Sequence, residues 1–387
     1  MEKLIKTNKL YTPDYREGYY ILIADDQIKD IALKISGVKN IIDLSDYTVL
    51  PGLIDLHVHG AIGNDTMDAT DEALNAIAGY KAAQGVTSFL PTTVTAPLNR
   101  LKKAVANVAK AIERGTAGAR ILGSYLEGPY ISAEQKGAHP EKNIRAINRE
   151  EIEEIIDCGQ GKIKIVALAP ELENSMPLIK FLHGQGIKIA LAHTNATYQE
   201  ASRAINAGAE IAVHTFNGMR GFHHREPGML GAVLNNDKIQ AELIADLIHV
   251  SIPAIQVLLR CRNINDICLV TDAMMAAGLA DGDYLLGELT VKVADGVARI
   301  SNGSLAGSTL RLIDAVKNMT IKVGVDLSSA VKMATINPAR TLALDQRLGS
   351  IERGKQADLI AIDQHFQVVF TMIDGKIVYE QLGSNPG

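Results

Sequence analysis

The stretch "IKIVALAPELENSMPLIKFLHGQGIKIALAH" (residues 163–193) shows the unit from which most of the chain is built. It begins and ends with a short apolar, β-branched run, and a longer amphipathic segment separates the two runs. Runs that are apolar on both faces are typical of buried parallel strands, and a crossover helix fits the segment between them. The stretch therefore predicts a strand, a helix and a second strand parallel to the first.

The same alternation extends from about residue 52 to residue 272 and predicts eight strands. They are "LIDLHVH" (53–59), "VTSFLPT" (86–92), "ILGSYLE" (121–127), "IKIVALA" (163–169), "IKIALAH" (187–193), "EIAVH" (210–214), "IQAELIA" (239–245) and "ICLVTD" (267–272). Eight such units favour a closed (β/α)8 barrel of the TIM type over an open doubly wound sheet. One intervening segment, 197–209, has a capping-box pattern at Thr197 and Glu200 and a helix stop at Gly208.

Both ends of the chain differ from this pattern. Residues 1–51 and 346–387 alternate like strands, with turn dipeptides between the runs and little helix. They predict a small β-sandwich domain built from both termini, beside a barrel domain over residues 52–345. Segment 284–300 predicts a hairpin after the eighth strand, and residues 308–344 predict closing helices.

Composition limits the classes of partner. The 387 residues are 47% hydrophobic and 21% charged, and the net charge of −5 offers no basic field for nucleic acid. The start lacks the apolar core of a secretory signal, and no apolar run approaches the roughly 18 residues of a membrane helix. The three cysteines form no Cys-x-x-C pair and suggest neither disulfides nor a thiolate zinc site. We therefore expect a soluble cytoplasmic protein without a membrane partner.

Side chains that bind metals or carry protons stand where five of the predicted strands end. They are His57, His59, Glu127, His193, His214 and Asp272. In a barrel of this type the carboxyl ends of the strands form the active site, so these side chains would converge. Imidazole and carboxylate suit borderline divalent ions such as zinc, iron or manganese. A metal lowers the pKa of bound water to about 7, and a carboxylate such as Asp272 could take the proton and return it to a leaving group.

Each of these residues also has an ordinary structural interpretation. His57 and His59 are two positions apart and point the same way on a strand, so they could share a metal or lie on a solvated face. A single strand-end histidine often anchors a loop by a hydrogen bond. Asp272 could be an N-cap or a metal ligand. Agreement among five strands nevertheless favours one metal-dependent site.

Several longer motifs carry a family resemblance. They are "PGLIDLHVHG" (51–60), "LEGPYIS" (126–132), "KGAHP" (136–140), "LAHTNA" (191–196), "VHTFNGM" (213–219), "HHREPG" (223–228), "LIADLIHV" (243–250), "LVTDA" (269–273) and "LAGSTL" (305–310). With them the chain resembles the amidohydrolase superfamily, and within it the deacetylases of N-acetylglucosamine 6-phosphate. The segment "GSIERGKQADLIAID" (349–363) resembles the small β-domain of that superfamily.

The resemblance implies a set of metal ligands. Glu127, His193 and His214 match the principal ligands of the family. His57 and His59 match a pair that binds a second metal in some members, so the resemblance implies two metals per chain with Glu127 as a bridge. Alternatively, the pair forms hydrogen bonds to the ligands of a single metal.

The resemblance also implies the reaction. It is the removal of the acetyl group from N-acetyl-D-glucosamine 6-phosphate, which gives D-glucosamine 6-phosphate and acetate in amino-sugar catabolism. Asp272 matches the general base and acid, and His139 matches the residue that polarises the acetamide carbonyl. The implied substrate contacts are Ala138, His139, Asn217, Gly218, Arg225, His249, Leu305, Ala306 and Gly307.

A homodimer is implied as well, because the family's phosphate site takes Arg225 of the partner subunit. A guanidinium suits phosphate, although loop arginines are often merely solvated. Two other functions stay open: an amidohydrolase that acts on another N-acetylated sugar or a cyclic amide, and a barrel that has lost its catalysis. The intact ligand set argues against a non-catalytic barrel.

Overall fold

The computed structural model describes residues 2–12 and 14–382. The strands are β1 (Glu2–Thr12), β2 (Asp14–Ala24), β3 (Gln27–Ala32), β4 (Ile41–Asp43), β5 (Thr48–Pro51), β6 (Leu53–Val58), β7 (Gly60–Ala61), β8 (Asn64–Asp65), β9 (Val86–Pro91), β10 (Arg120–Ile121), β11 (Ser124–Glu127), β12 (Ile163–Leu168), β13 (Lys188–Leu191), β14 (Ala209–Ala212), β15 (Gln240–Leu243), β16 (Ile267–Leu269), β17 (Gly282–Leu286), β18 (Leu289–Ala294), β19 (Val297–Arg299), β20 (Leu359–Ile362), β21 (Val368–Ile373) and β22 (Lys376–Glu380).

The α-helices alternate with the strands through the middle of the chain. They are α1 (Asp71–Ala83), α2 (Leu98–Arg114), α3 (Arg149–Cys158), α4 (Ser175–Gly184), α5 (Tyr198–Asn206), α6 (Gly228–Leu234), α7 (Ile252–Cys261), α8 (Leu312–Asn318), α9 (Leu327–Ala334) and α10 (Ile336–Thr341). Within the described ranges, no helix combines the length and the apolar character needed to cross a membrane.

Eight parallel strands form the predicted barrel. Backbone ladders join β6 to β9, and another ladder runs without a break from β11 through β16. Parallel bridges from Thr92 to Tyr125 and from Val58 to Ala273 close the circle. Each of the eight predicted runs contains or overlaps one of these strands, so the (β/α)8 prediction is confirmed.

The barrel interior is packed rather than open. A cluster of buried side chains fills it, and most of them come from the strands: Ile54, Leu56, Leu90, Tyr125, Ile165, Ala167, Ala190, Ala192, Ile211, Val213, Ile244, Cys268 and Val270. A second and larger cluster lies between the strands and the surrounding helices. Because apolar side chains fill both layers, the polar residues of the strand ends are left at one face of the barrel.

The local predictions for the connecting segments are confirmed. The hydroxyl of Thr197 accepts from the amide of Glu200 at 3.2 Å, and the Glu200 carboxylate accepts from the amide of Thr197 at 2.8 Å. This capping box begins α5. The predicted hairpin over 284–300 is part of a three-stranded antiparallel sheet, β17 to β19. Helices α8 to α10 lie in the predicted closing segment.

Both termini build one further sheet, in the order β22-β21-β20-β5-β1-β2-β3 with β4 beside β1. Strands that are apart in this order also contact each other: Lys3, on β1, donates to the Gly375 carbonyl before β22 at 2.9 Å, and Gln27, on β3, bridges to Gln356 before β20. The sheet therefore folds over its own apolar core, as a sandwich does. Residues 1, 13 and 383–387 of the predicted terminal domain lie outside the described residues, and the boundaries at 51/52 and 345/346 stay a prediction.

A partly buried arginine joins the terminal sheet to the barrel. Arg120, on β10, donates two hydrogen bonds to the carboxylate of Asp358, at 2.9 and 3.2 Å. It also lies 2.7 Å from the carboxylate of Asp374, in the turn before β22. The Asp358 side chain is only 5% exposed, so this cation offsets a charge that water barely reaches.

Replacement of this arginine tests the contact between barrel and sheet. We expect Arg120→Gln to lower the free energy of unfolding in urea by about 2 kcal/mol, because the buried carboxyl group of Asp358 loses its cationic partner. Arg114→Gln is the matched control: Arg114 pairs with Asp71 where both side chains are more than 40% exposed, and we expect a loss below about 0.5 kcal/mol. Equal losses in the two variants would contradict the account.

Candidate metal centre

A cavity of about 360 Å³ opens at the carboxyl ends of the barrel strands. Most of the predicted site residues line it: His59, Glu127, Ala138, His139, His193, His214, Asn217, Gly218, His249, Asp272, Leu305 and Gly307. Residues from distant parts of the sequence therefore meet in one place, as expected for this barrel. Ser304 and Leu286, from the segment around β17 to β19, also line it.

Three predicted residues do not line the cavity. His57 is fully buried directly behind it, at 0% exposure. The side chain of Ala306 is buried in an apolar cluster with Met274 and Val291. Arg225 lies on an exposed loop, where its guanidinium is 2.9 Å from the His224 ring. Within one chain, therefore, Arg225 contributes nothing to the wall of the cavity.

Unusual backbone angles aim the strand-end side chains. His193, His214 and Asp272 have φ values of +44°, +29° and +50°, in the left-handed region that residues other than glycine rarely adopt. All three side chains line the cavity. Gly218 packs against this arrangement, because a Cβ atom there would lie 2.9 Å from Nδ1 of His193.

The carboxylate of Glu127 lies between two pairs of histidines. Its Oε1 atom is 3.3 Å from Nε2 of His193 and 3.3 Å from Nε2 of His214. Its Oε2 atom is 3.3 Å from Nε2 of His59 and 3.5 Å from Nε2 of His57. Two ligands bound at about 2.1 Å in a tetrahedral arrangement are about 3.4 Å apart, so these separations fit donors that share a metal.

Hydrogen bonds fix the tautomers of one pair. Nδ1 of His193 is 2.8 Å from the Gln135 carbonyl, and Nδ1 of His214 is 3.1 Å from the Asn217 carbonyl. A carbonyl oxygen only accepts, so each Nδ1 carries the proton and each neutral ring presents a lone pair at Nε2. These two Nε2 atoms are 3.3 Å apart, and both face Glu127. Two lone pairs and a carboxylate at this distance favour a cation between them.

The other pair is equally buried. Nδ1 of His57 lies 3.2 Å from a carboxylate oxygen of Glu242, and its Nε2 has no hydrogen-bond partner among the described residues. Nε2 of His59 is 3.2 Å from Asp272. His57 and His59 are 0% and 3% exposed, so the alternative of a solvated strand face is wrong. The donor set fits a divalent metal here too.

The charges of the site agree with this arrangement. Burial alone would lower the pKa of His59, but hydrogen bonds to Asp272 and Glu127 and their negative charges raise it to about 9. Burial alone would raise the pKa of Glu127, yet its interactions with the surrounding histidines, with His57 the largest contributor, hold it well below its usual value. The pKa of Asp272 is lowered for the same reason. Both carboxylates are therefore ionised at neutral pH and attract positive charge.

His139 differs from the other four histidines. The amide of Thr95 donates to its Nδ1 at 3.3 Å, so the ring proton of the neutral form is at Nε2. Burial is the largest cause that lowers the pKa of His139, to about 4, which keeps the ring neutral. Its Nε2 lies close enough to Glu127 and His193 to join a metal group, but the tautomer makes it a hydrogen-bond donor instead.

Sequence reasoning missed several partners of these residues. Glu242 is a fully buried acid inside the apolar run "IQAELIA" (239–245), which was an available signal. Asp246 holds Nδ1 of His249 at 2.6 Å, and it lies three positions before the histidine in "LIADLIHV" (243–250). Thr95 contacts His139 through its backbone amide and its hydroxyl, and Gln135 contacts His193 through its backbone carbonyl. Both residues lie outside the predicted strands, and no sequence motif identified them.

The chain is similar to proteins of known activity. The model of the Amidohydrolase family matches residues 48–378. An N-acetylglucosamine-6-phosphate deacetylase of Vibrio furnissii is 44% identical over 339 residues, which are 88% of this chain and 85% of that protein. An N-acetylgalactosamine-6-phosphate deacetylase of Escherichia coli O157:H7 is 41% identical over 379 residues, 97% of this chain and 99% of that protein.

A solved structure shows the same fold. It is an N-acetyl-D-glucosamine-6-phosphate deacetylase mutant from Mycobacterium smegmatis in complex with N-acetyl-D-glucosamine-6-phosphate. The two structures superpose with a TM-score of 0.93 and 31% sequence identity, over 98% of this chain and 99% of the other. The likeness therefore includes both the barrel and the terminal sheet.

Metal binding by this cluster should stabilise the fold. We expect Zn²⁺ at about one hundred times its dissociation constant to raise the free energy of unfolding of chelator-treated protein by about 2.7 kcal/mol, because only the folded chain assembles the donors. Urea unfolding with and without zinc measures this. His193→Gln removes one lone pair next to Glu127 and should reduce the gain, whereas an unchanged gain would place the metal elsewhere.

Proposed function

Because this chain belongs to the amidohydrolase family, we propose that it removes the acetyl group from N-acetyl-D-glucosamine 6-phosphate. The products are D-glucosamine 6-phosphate and acetate, so the reaction belongs to amino-sugar catabolism. The observation that carries the proposal is Glu127 between two pairs of buried histidine Nε2 atoms, with Asp272 and a proton-donating His139 beside it. The substrates named for the similar proteins of Vibrio and Mycobacterium support the choice of sugar.

We assign the metal ligands from this geometry. His193 and His214 would hold one ion together with Glu127, and His57 and His59 would hold a second ion with the same carboxylate. Zinc, iron and manganese all suit the donor set. A bound metal of this kind lowers the pKa of a coordinated water and polarises a carbonyl.

Asp272 is the proton carrier in this proposal. Its carboxylate is ionised, lies at the cavity and is 3.2 Å from Nε2 of His59. It can therefore accept a proton from the attacking water and return it to the departing amine. One carboxylate performs both steps because the proton it gains first is the proton the leaving group needs.

His139 would act on the carbonyl oxygen of the acetamide. Its neutral ring lines the cavity and offers the Nε2 proton, because Thr95 occupies the other nitrogen. A fixed donor stabilises the negative charge that develops on this oxygen during attack. A protonated ring would be a poorer choice, since its charge would compete with the metals for Glu127.

The remaining cavity residues would bind the sugar phosphate. Asn217, Gly218 and His249 lie on the wall formed after β14 and β15, and Ala138, Leu305 and Gly307 complete the enclosure. Asp246 orients the His249 ring, which favours a polar contact. Ala306, although buried, can contribute only through its backbone.

We further propose that the enzyme is a homodimer in which Arg225 of the partner subunit binds the phosphate. Arg225 of the same chain does not line the cavity, and its loop is exposed and carries an exposed Phe222. The guanidinium group of Arg225 lies beside the His224 ring and has no carboxylate partner in its own loop. Its planar set of donors suits the phosphate of a substrate bound at a subunit interface. We place the enzyme in the cytoplasm, in agreement with its three free cysteines.

Deacetylation of N-acetylgalactosamine 6-phosphate is a second candidate function. The Escherichia coli relative with that name matches 97% of this chain, a larger share than the Vibrio relative. The two sugars differ only in the orientation of one hydroxyl. Acetate release from both substrates decides between them: the proposed function requires the higher kcat/KM with the glucosamine derivative.

Replacement of the proton carrier tests the mechanism. We expect Asp272→Asn to lower kcat by a factor of about 10²–10⁴, because the amide cannot take the proton. Metal content and the urea midpoint should stay close to native, and acetate release and elemental analysis measure the two effects. A near-native kcat would contradict the role of Asp272.

Mixed dimers test the donation of Arg225. We expect Arg225→Ala to raise KM for the phosphorylated sugar far more than for N-acetylglucosamine itself, because only the former carries the phosphate. When Arg225→Ala and Asp272→Asn chains are refolded together in equal amounts, half the dimers combine the two, and one of their sites is complete. Activity should then recover to roughly a quarter of native. No recovery would place Arg225 outside its partner's site.

A further inference from the structure

The first barrel strand is irregular where it enters the metal centre. From Asp55 to Val58, three steps along β6 are matched by only two along β9, from Phe89 to Pro91. The strand therefore contains a bulge at positions 56 and 57. Leu56 packs in the barrel interior, and the next side chain, His57, also points inward and contacts Tyr125. Regular alternation would have turned His57 away from the cavity.

Next to this bulge, hydrogen bonds to a side chain replace the backbone hydrogen bonds between β6 and the segment that follows β16. The amide of Thr271 donates to a carboxylate oxygen of Asp55 at 3.1 Å rather than to a carbonyl of β6. The Thr271 hydroxyl donates to the other oxygen of Asp55 at 2.6 Å. Backbone pairing resumes directly afterwards, where the Asp272 amide donates to the His57 carbonyl at 3.0 Å.

A lysine from outside the barrel completes the contact. Lys81, on the buried face of α1, donates to Asp55 at 2.8 Å and to the Thr271 hydroxyl at 3.1 Å. Lys81 is 2% exposed, and Asp55 and Thr271 are 0% exposed. The hydroxyl also accepts from the amide of Ala273 at 3.2 Å, so its one donor and two acceptor positions are all used.

We propose that Asp55, Lys81 and Thr271 are positioning residues, the seam cluster, which hold the bulge and thereby fix the placement of His57 and Asp272. The cluster lies two residues before His57 and includes the residue before Asp272, at the seam where the first and eighth strands meet. The proposal rests on the proposed function for the roles of these two residues. None of the three side chains lines the cavity.

Stability alone does not account for the seam cluster. A buried ion pair can often be replaced by apolar side chains of similar volume without loss of stability. Apolar side chains would not supply the acceptors that the Thr271 amide and hydroxyl find on Asp55. The ion pair between Asp55 and Lys81 therefore fixes a position: the Lys81 ammonium group holds the Asp55 carboxylate where the Thr271 amide and hydroxyl can donate to it.

A pair of isosteric substitutions tests the seam cluster. Thr271→Val removes the hydroxyl and keeps the volume. Thr87→Val is the matched control, because Thr87 is also buried and its hydroxyl also bonds at β6, to the Leu53 carbonyl at 3.3 Å. This bond lies at a separate register shift between Leu53 and Ile54, away from the bulge at positions 56 and 57. The first readout is the rate at which the zinc-loaded full chain loses zinc to excess chelator. The second is kcat and KM for N-acetylglucosamine 6-phosphate.

We expect Thr271→Val to lose zinc about tenfold faster than native and to show a lower kcat with little change in KM, because a misplaced ligand weakens the metal site. Thr87→Val and Thr271→Ser, which keeps the hydroxyl, should behave like the native protein. If Thr271→Val and Thr87→Val lose zinc at the same rate and share the native kcat, the proposal is wrong.

Two features keep the test decisive. If Thr271→Val does not fold, the neutral double variant Asp55→Asn, Lys81→Met takes its place, with the same readouts and the same expected result. Zinc release involves no sugar, so the outcome for the seam cluster can be told apart from failure of the proposed deacetylation. If the double variant also loses zinc at the native rate, the seam cluster does not influence the metal site and the proposal is wrong.

Discussion

Hydrogen bonds at histidine Nδ1 atoms set the chemistry of the cavity. Carbonyl oxygens hold the Nδ1 protons of His193 and His214, and the Glu242 carboxylate lies at Nδ1 of His57. Each bond directs a lone pair at Nε2 toward Glu127. Without these bonds the rings could present N–H groups to the carboxylate, and the cluster would form hydrogen bonds among its own members instead of attracting a metal.

The same principle separates His139 from the ligands. Thr95 donates to its Nδ1, so an otherwise similar ring presents a proton instead of a lone pair. One cavity thus contains lone pairs for a cation and a proton for an oxyanion, although the side chains are of one type. The barrel makes this division possible because each strand end brings its own loop, and each loop supplies a different partner at Nδ1.

The sequence predicted what depends on local pattern. Buried parallel strands read as short apolar runs, and ligands at strand ends stand out against them, so the barrel and the positions of Glu127, His193 and His214 followed from the residues. Partners of these ligands depend on contacts between distant segments, and local patterns do not specify such contacts. Glu242 is 185 positions from His57, and Thr271 is 216 positions from Asp55. The bulge in β6 depends on its register with β9, which alternation within β6 alone does not reveal.

The most direct test of this account is the location of the metals in crystals of the native protein, by anomalous scattering at the absorption edge of the bound element. The account predicts two peaks on opposite sides of the Glu127 carboxylate, one beside His193 and His214 and the other beside His57 and His59. A single peak beside His193 and His214 would contradict the binuclear assignment. Peaks coordinated by His139 would contradict the tautomer argument on which the whole account rests.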